Sequence, residues 1–372
     1  MNWTTVDGES VSADPRWLRS TCRCVECGDS SAGLRWFSPS TLAAQGSTDV
    51  DRFTLDNGEL HVVFGDGHVS AYDRAELEHR LRSFPAPSAS GKVGDSLVDA
   101  LLAAHDFESC MTNDDALFVA IDELVRLGIT RFTGAPQEPS GTAEFAERFG
   151  PVRHTSYGPV QEFKTVANPR TAAETGRAQI PHTDEPYRYN PPGFLFFHSA
   201  VAGPEGQGSS LFVDGFAAAE ELRRTNLDAF ETLATVPVPV HRLHEDDVHF
   251  LTESRVITIG PDDTLEAIRL NTRCFADLDP TDSRTGEVLD ALAALVAIIE
   301  LPHQQRVLHL HAGDMVAFDN HRVMHGRTAF SDSTARHLLS CNVDRDAVHS
   351  TWRVLSAQRG HAAGRLPQGP ST

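Results

Sequence analysis

The sequence predicts a mainly β protein with helices (α+β): a small β-rich N-terminal module over residues 1–88, then a double-stranded β-helix, or jelly-roll, domain over 92–358. Three observations lead there. The chain has 372 residues, more than one compact core usually holds. The stretch Ser83–Gly91 carries two prolines and three serines, breaks every periodic pattern and reads as a linker. Beyond it, many short strand-like runs are interspersed with only a few amphipathic helices. Residues 359–372 read as a disordered tail.

In the N-terminal module, Leu55–Phe64 reads as a hairpin, Asp66-Gly67 as the two-residue signal of another, and Asp73–Leu81 as a helix. Cys22, Cys24 and Cys27 crowd into six positions. Thiols so close cross-link one another poorly but can occupy three corners of a tetrahedron around a metal. Six cysteines in the whole chain are too few for a disulfide scaffold. The candidate for the fourth corner is His68, because the Asp66-Gly67 turn would carry it back over the cysteine loop. His61 and His79 compete, the first on an apolar strand and the second on the helix.

In the larger domain, helices are expected at Asp95–Ala104 and Asp114–Leu127, the latter stopped by Gly128, and strand Ile129–Thr133 follows. A short helix at Thr142–Phe149 precedes Gly193–Val201, which is apolar on both faces and fits a strand buried between two sheets. Strand Ser210–Val213 leads into one helix, Phe216–Leu233. Strands are expected at Arg255–Ile259, Glu266–Leu270, Arg306–Leu310, Met315–Phe318 and Arg336–Val343. The helix Thr285–Glu300 turns Val288, Leu289, Leu292, Leu295, Val296 and Ile299 inward.

Charge and targeting narrow the function. Lys plus Arg total 32 against 52 Asp plus Glu, a net −20 that repels phosphate backbones and anionic membranes. No run of eighteen apolar residues and no signal-peptide pattern appears, so a cytoplasmic protein is expected.

The chemistry centres on Pro181-His182-Thr183-Asp184-Glu185 and, far downstream, Val323-Met324-His325-Gly326-Arg327. Two imidazoles and a carboxylate on one face of an ion leave the other positions open, the donor set that suits non-haem Fe(II). Eleven residues after His325 comes Arg336, whose planar fork binds a carboxylate bidentately, as a dicarboxylate cosubstrate requires. His182, Asp184, His325 and Arg336 in this order resemble the Fe(II)/2-oxoglutarate-dependent dioxygenases. The words Phe149–Gly158, Gly208–Phe216 and Phe318-Asp319-Asn320 look like the γ-butyrobetaine and trimethyllysine hydroxylase family, a resemblance running from about Trp17 to Arg353.

The resemblance implies iron held by His182, Asp184 and His325, with the 2-oxoglutarate C5 carboxylate on Arg336 assisted by the Ser210 hydroxyl. It also implies a structural Zn(II) on Cys22, Cys24, Cys27 and His68, and a homodimer. Because Asp184 is present, hydroxylation with O2 is expected rather than halogenation; desaturation and cyclisation remain open. The family's aromatic cage for a quaternary ammonium carries over as Tyr157, Gln161, Glu174 and Asn342, so one ring of four survives. Hydrogen-bonding groups there point to a small substrate with N–H or O–H groups, such as an amine facing Glu174. Arg188 and Asn271 are candidates for its anionic end. The alternatives are γ-butyrobetaine hydroxylation and a 2-oxoglutarate-sensing module without turnover.

Overall fold

The computed structural model describes residues 2–4, 8, 10–22, 24–29, 34–35, 38, 40, 42, 44–82, 96–155, 158–164, 175–244, 248–261, 263–331 and 334–359. The chain divides into two compact units, Met1–Ala86 and Pro87–Thr372. The expected linker, residues 83–91, and all of the expected tail except Arg359 lie outside the described residues.

In the first unit, Asn57 (φ 46°) and Gly58 (φ 83°) make the left-handed two-residue turn that joins Val50–Asp56 to Glu59–Phe64. Val69–Asp73 adds the third antiparallel strand. Alternation puts Leu60, Val62 and Phe64 on one face, where they pack against Trp3, Leu18, Tyr72 and Leu77. The Leu55–Phe64 hairpin and the Asp66-Gly67 turn are both found, and the helix spans Arg74–Arg82.

The second unit is built on two antiparallel sheets. The larger has the order Gln161–Lys164, His337–Val343, Phe194–Val201, Met315–Asp319, Ile129–Thr133, His105–Asp106, with only the last pair parallel. The smaller runs Gln179–His182, Val323–Arg327, Ser210–Asp214, Arg306–Leu308. Leu195, Phe197, Val316 and Phe318 of one sheet share an apolar cluster with Phe212 and Val323 of the other, so the sheets pack face to face. Their outer faces are covered by helices. Phe194, Phe196 and Met315 meet Asp114–Leu127, Ser140–Glu147 and Arg345–Gln358, whereas Val213 and Met324 meet Gly215–Thr225, Leu227–Thr235 and Thr285–Ile299. The architecture is a mixed, mostly β fold of the jelly-roll type.

Several expectations need correction. Phe194–Val201 is apolar on both faces because it lies between the second sheet and a helical layer, not between two sheets. The single helix expected at Phe216–Leu233 is two helices: Asn226 (φ −151°, ψ 80°) leaves the helical region and caps the second through its side chain, which accepts from Ala229 N. Helical periodicity persists across the break, which hides it. Leu289 is exposed, while Val288, Leu292, Leu295 and Ile299 are buried. The strand expected from Arg255 begins at Ile257, because residues up to Ser254 belong to a hairpin, Val238–His244 with Val248–Ser254, that the polar alternation concealed. No helix is expected at Arg345–Gln358, yet its apolar stripe of Val348, Trp352 and Leu355 closes the larger sheet.

Candidate active site

Strand register creates the centre. Gln179–His182 pairs antiparallel with Val323–Arg327 so that His182 and His325 are direct cross-strand neighbours, their rings 4.5 Å apart. Phe212, the partner of His325 on the other side, belongs to the apolar cluster between the sheets, so both imidazoles face inward. Asp184 lies just past the strand end, its carboxylate 3.4 Å from His182 Nε2 and 3.7 Å from His325 Nε2. The three donors lie within 4.8 Å of one another and could hold one metal ion.

Surrounding bonds fix each donor. His182 Nδ1 donates to the Ile180 carbonyl at 2.8 Å, which leaves Nε2 with its lone pair toward the other two donors. Asn320 accepts from Asp184 N at 2.7 Å and donates to the carbonyls of Asp184 and Pro192, both at 3.1 Å, clamping the turn after the strand. Burial alone would raise the Asp184 carboxyl, but its electrostatic contacts with His325, His182 and Arg273 hold it well below the carboxylate range. Burial pushes His325 down to about 3 against the pull of Asp184. The cluster therefore rests at neutral pH as a carboxylate beside a neutral His325 imidazole, the protonation that metal ligation needs.

The triad opens into a cavity of about 280 Å³. Ser210, on the inward face with Phe212, and Arg336, just before His337–Val343, both line it. Arg336 packs beside Phe330, and burial works against its charge. No carboxylate pairs with it among the described residues, so an anion entering the cavity would meet an uncompensated fork. Gly208 (φ 63°) lies against this side chain, where an added Cβ would sit 3.3 Å from Arg336 Cδ.

The first unit holds a second donor cluster. His68 Nε2 lies 3.4 Å from Cys22 Sγ, 3.7 Å from Cys24 Sγ and 3.6 Å from Cys27 Sγ. The turn sets this up: Gly67 (φ 86°) lets the chain reverse, and Phe64 N bonds to His68 O at 2.9 Å. His61 instead pairs with Glu59 at 3.2 Å. Burial pushes the Cys27 thiol up to about 11, so a bound cation is what would keep it a thiolate.

A profile described as the taurine catabolism dioxygenase TauD, TfdA family matches residues 94–342, which include the triad, Ser210 and Arg336. The chain belongs to this family. It is an Fe(II)- and 2-oxoglutarate-dependent dioxygenase, and its relatives agree. A γ-butyrobetaine dioxygenase of Pseudomonas sp. (strain AK-1) is 30% identical over 96% of this chain and 93% of its own. A mitochondrial trimethyllysine dioxygenase of Bos taurus is 28% identical over 92% of this chain and 82% of its own. Among solved structures, asparagine oxygenase with Fe(II), hydroxyasparagine and succinate shares the fold, at a TM-score of 0.52 and 14% identity over 68% of this chain and 90% of that one.

The other candidate residues of this dioxygenase fare unequally. Gln161 and Asn271 line the cavity. Asn342 shares a strand face with Leu338 but is not among the lining residues, and Arg188 does not reach the cavity either. It is paired with Glu185 and stacked 4.5 Å above Phe250. Tyr157 and Glu174 lie outside the described residues. Residues not anticipated include the aromatic Phe163, Tyr187 and Phe197, and Arg242, Arg273 and Arg327. Phe163 could have been found from its alternation with Gln161. The arginines could not, because an isolated arginine reads as surface charge.

Proposed function

We propose that this dioxygenase hydroxylates an unactivated C–H bond of a small polar substrate carrying N–H or O–H groups, an amine by preference, with release of succinate and CO2. The observation that carries the reading is Gln161, a hydrogen-bonding amide on the wall of the triad's cavity at a position where the resembled family has a cage ring. His182, Asp184 and His325 would hold Fe(II), and Arg336 with Ser210 would hold the C5 carboxylate of 2-oxoglutarate. When bound, iron supplies the oxidative decarboxylation of the keto acid and transfer of oxygen to the substrate. The chain's own part is to orient and to exclude water. The Ile180 carbonyl sets the His182 tautomer, Asn320 fixes Asp184, and Phe197 covers the His325 ring edge-on at 5.0 Å.

Residues Cys22, Cys24, Cys27 and His68 would hold a structural Zn(II), since three thiolates and one imidazole leave no open position. A homodimer is what the resemblance implies, and sedimentation at micromolar concentration tests the assembly. No helix among the described residues is long and apolar enough to cross a membrane.

Anaerobic Fe(II) with 2-oxoglutarate should give a weak visible charge-transfer band, and small amines, amino acids and phosphonates should then be screened for substrate-triggered succinate release. Without a band, the 2-oxoglutarate-sensing module or another role replaces catalysis. A second reading, γ-butyrobetaine hydroxylation, is favoured by the 30% identity to the Pseudomonas sp. relative and by the rings of Phe163 and Tyr187 in the cavity. Tight coupling of succinate release to γ-butyrobetaine would establish it over the primary amine. Desaturation or cyclisation would appear as product masses two hydrogens lighter than the substrate.

A further inference from the structure

The zinc reading accounts for the four donors of the first unit but not for Arg19, which is buried against them. This residue stands in the last turn of the helix Pro15–Ser20, just before the cysteine loop, and is only 6% exposed. Its Nη1 donates to Cys27 Sγ at 3.1 Å. Its Nη2 lies 3.7 Å from Asp66 Oδ2, and Asp66 Oδ1 accepts from His68 N at 3.0 Å. One guanidinium and one carboxylate therefore link both ends of the donor set, a sulfur on one side and the histidine on the other.

Charge explains why a guanidinium belongs there. Zn(II) with three thiolates and a neutral imidazole carries one net negative charge. An anion enclosed by protein is costly unless a cation and hydrogen bonds meet it, and a permanently charged arginine supplies both. Asp66 does not cancel that charge: its carboxylate is the longer contact and is 24% exposed, where water screens the pair. Phe64, its ring centre 5.6 Å from the guanidinium carbon, flanks the side chain without offering it an acceptor. A neutral thiol would repay a buried guanidinium poorly, since sulfur in that form is a weak acceptor. A metal-bound thiolate repays it well.

We propose that Arg19 is a positioning residue for the structural metal: its hydrogen bond holds the Cys27 thiolate, and its charge offsets the negative charge of the loaded site, so that zinc is retained. The inference rests on the zinc reading given above and deepens it. Glu26 takes the lesser part on the imidazole side, 3.6 Å from His68 Nδ1 but 79% exposed.

The test uses the full chain. Metal analysis should find zinc that the Cys24→Ser variant lacks, and its transfer to the coloured chelator 4-(2-pyridylazo)resorcinol gives the affinity. Arg19→Gln should weaken the hold on zinc about 10- to 100-fold. Arg19→Lys should fall between that variant and the unmodified protein, and Glu26→Gln should cost less than Arg19→Gln. Cobalt(II) in place of zinc reports on the sulfur itself: without the Arg19 donor the thiolate lone pairs rise in energy, and the sulfur-to-cobalt charge-transfer band should move to longer wavelength. Leu77→Ala, in the apolar core of the same unit, should lower the melting temperature and leave that band in place, which separates a donor to sulfur from a residue that only supports the fold. If Arg19→Gln does not fold, the smaller loss and smaller band shift of Arg19→Lys decide in its place. Unchanged zinc affinity, or weaker affinity with an unmoved cobalt band, overturns the role of Arg19 and leaves the zinc site standing. Absence of Cys24-dependent zinc in the unmodified protein overturns both.

Discussion

The two donor clusters of this protein use the same elementary device, a turn or strand register that brings distant side chains together, for opposite ends. In the first unit three sulfurs and an imidazole lie close enough to hold one ion, and a tetrahedral ion there would have no position left over. In the second, three donors occupy one side only, and the remaining space is a cavity of about 280 Å³ walled by polar, charged and aromatic groups. A closed set converts metal affinity into folding energy, and an open set converts it into chemistry. The supports differ accordingly. The cysteine cluster hangs on a hairpin turn, whereas the triad is set in strands packed from both sides.

The largest effects should separate the two. Asp184→Ala should lower succinate release by roughly a thousandfold or more while the folded baseline persists, since the sheets that carry His182 and His325 have their own apolar core. Cys24→Ser, or stripping the cluster with a thiol-selective chelator, should instead unfold the first unit, read as loss of amide protection over 50–73, at a cost on the order of several kcal/mol. If both treatments act alike on melting and on turnover, the contrast between closed and open sites is wrong.

Arg336→Gln comes next. It should raise the KM for 2-oxoglutarate about 100-fold, through loss of a charged bidentate partner in a half-buried setting. Asn320→Ala removes three hydrogen bonds around Asp184 and leaves buried backbone groups unpaired. The expected result is about 2 kcal/mol of destabilisation with a 10- to 100-fold higher Fe(II) requirement. Rescue of turnover by excess Fe(II) would mark Asn320 as a positioning residue.

The smallest effect is a pH dependence of the second unit. His198 is buried, with Nδ1 2.8 Å from Thr142 Oγ1, and burial together with the charge of His337 pushes it from 6.5 down to about 4. His349 is pushed to about 4 as well, by burial and then by Arg345. Between these values the unfolded chain binds more protons than the folded one, so stability falls as pH drops from about 6.5 toward 4. The slope should be at most about 1.4 kcal/mol per pH unit for each histidine. His198→Gln should flatten it, and an unaltered acid melting curve would show that His198 is not its source.

Much of the fold was legible because period and punctuation are local. Asn57-Gly58 and Asp66-Gly67 made their turns, Gly128 (φ 81°) ended its helix in the left-handed conformation, and the apolar run at Phe194–Val201 became a doubly covered strand. Asn226 was not legible, because an apolar stripe continues in phase across a break that only the backbone at one residue records. Nor was the place of Arg188, proposed for an anionic end: its ion pair with Glu185 is local, but its stacking on Phe250 depends on a hairpin hidden in polar alternation.

By itself the sequence determined the donor types and their order: three thiols in a short loop, a His-x-Asp pair, a distant histidine and an arginine eleven residues later. Those are covalent facts, and coordination chemistry constrains what such a set can hold. Only the tertiary structure decided that His182 faces His325 and that Asn320 clamps Asp184, because each depends on how segments far apart in the chain come together. A one-residue slip in that register would send the same side chains to the other face of the sheet.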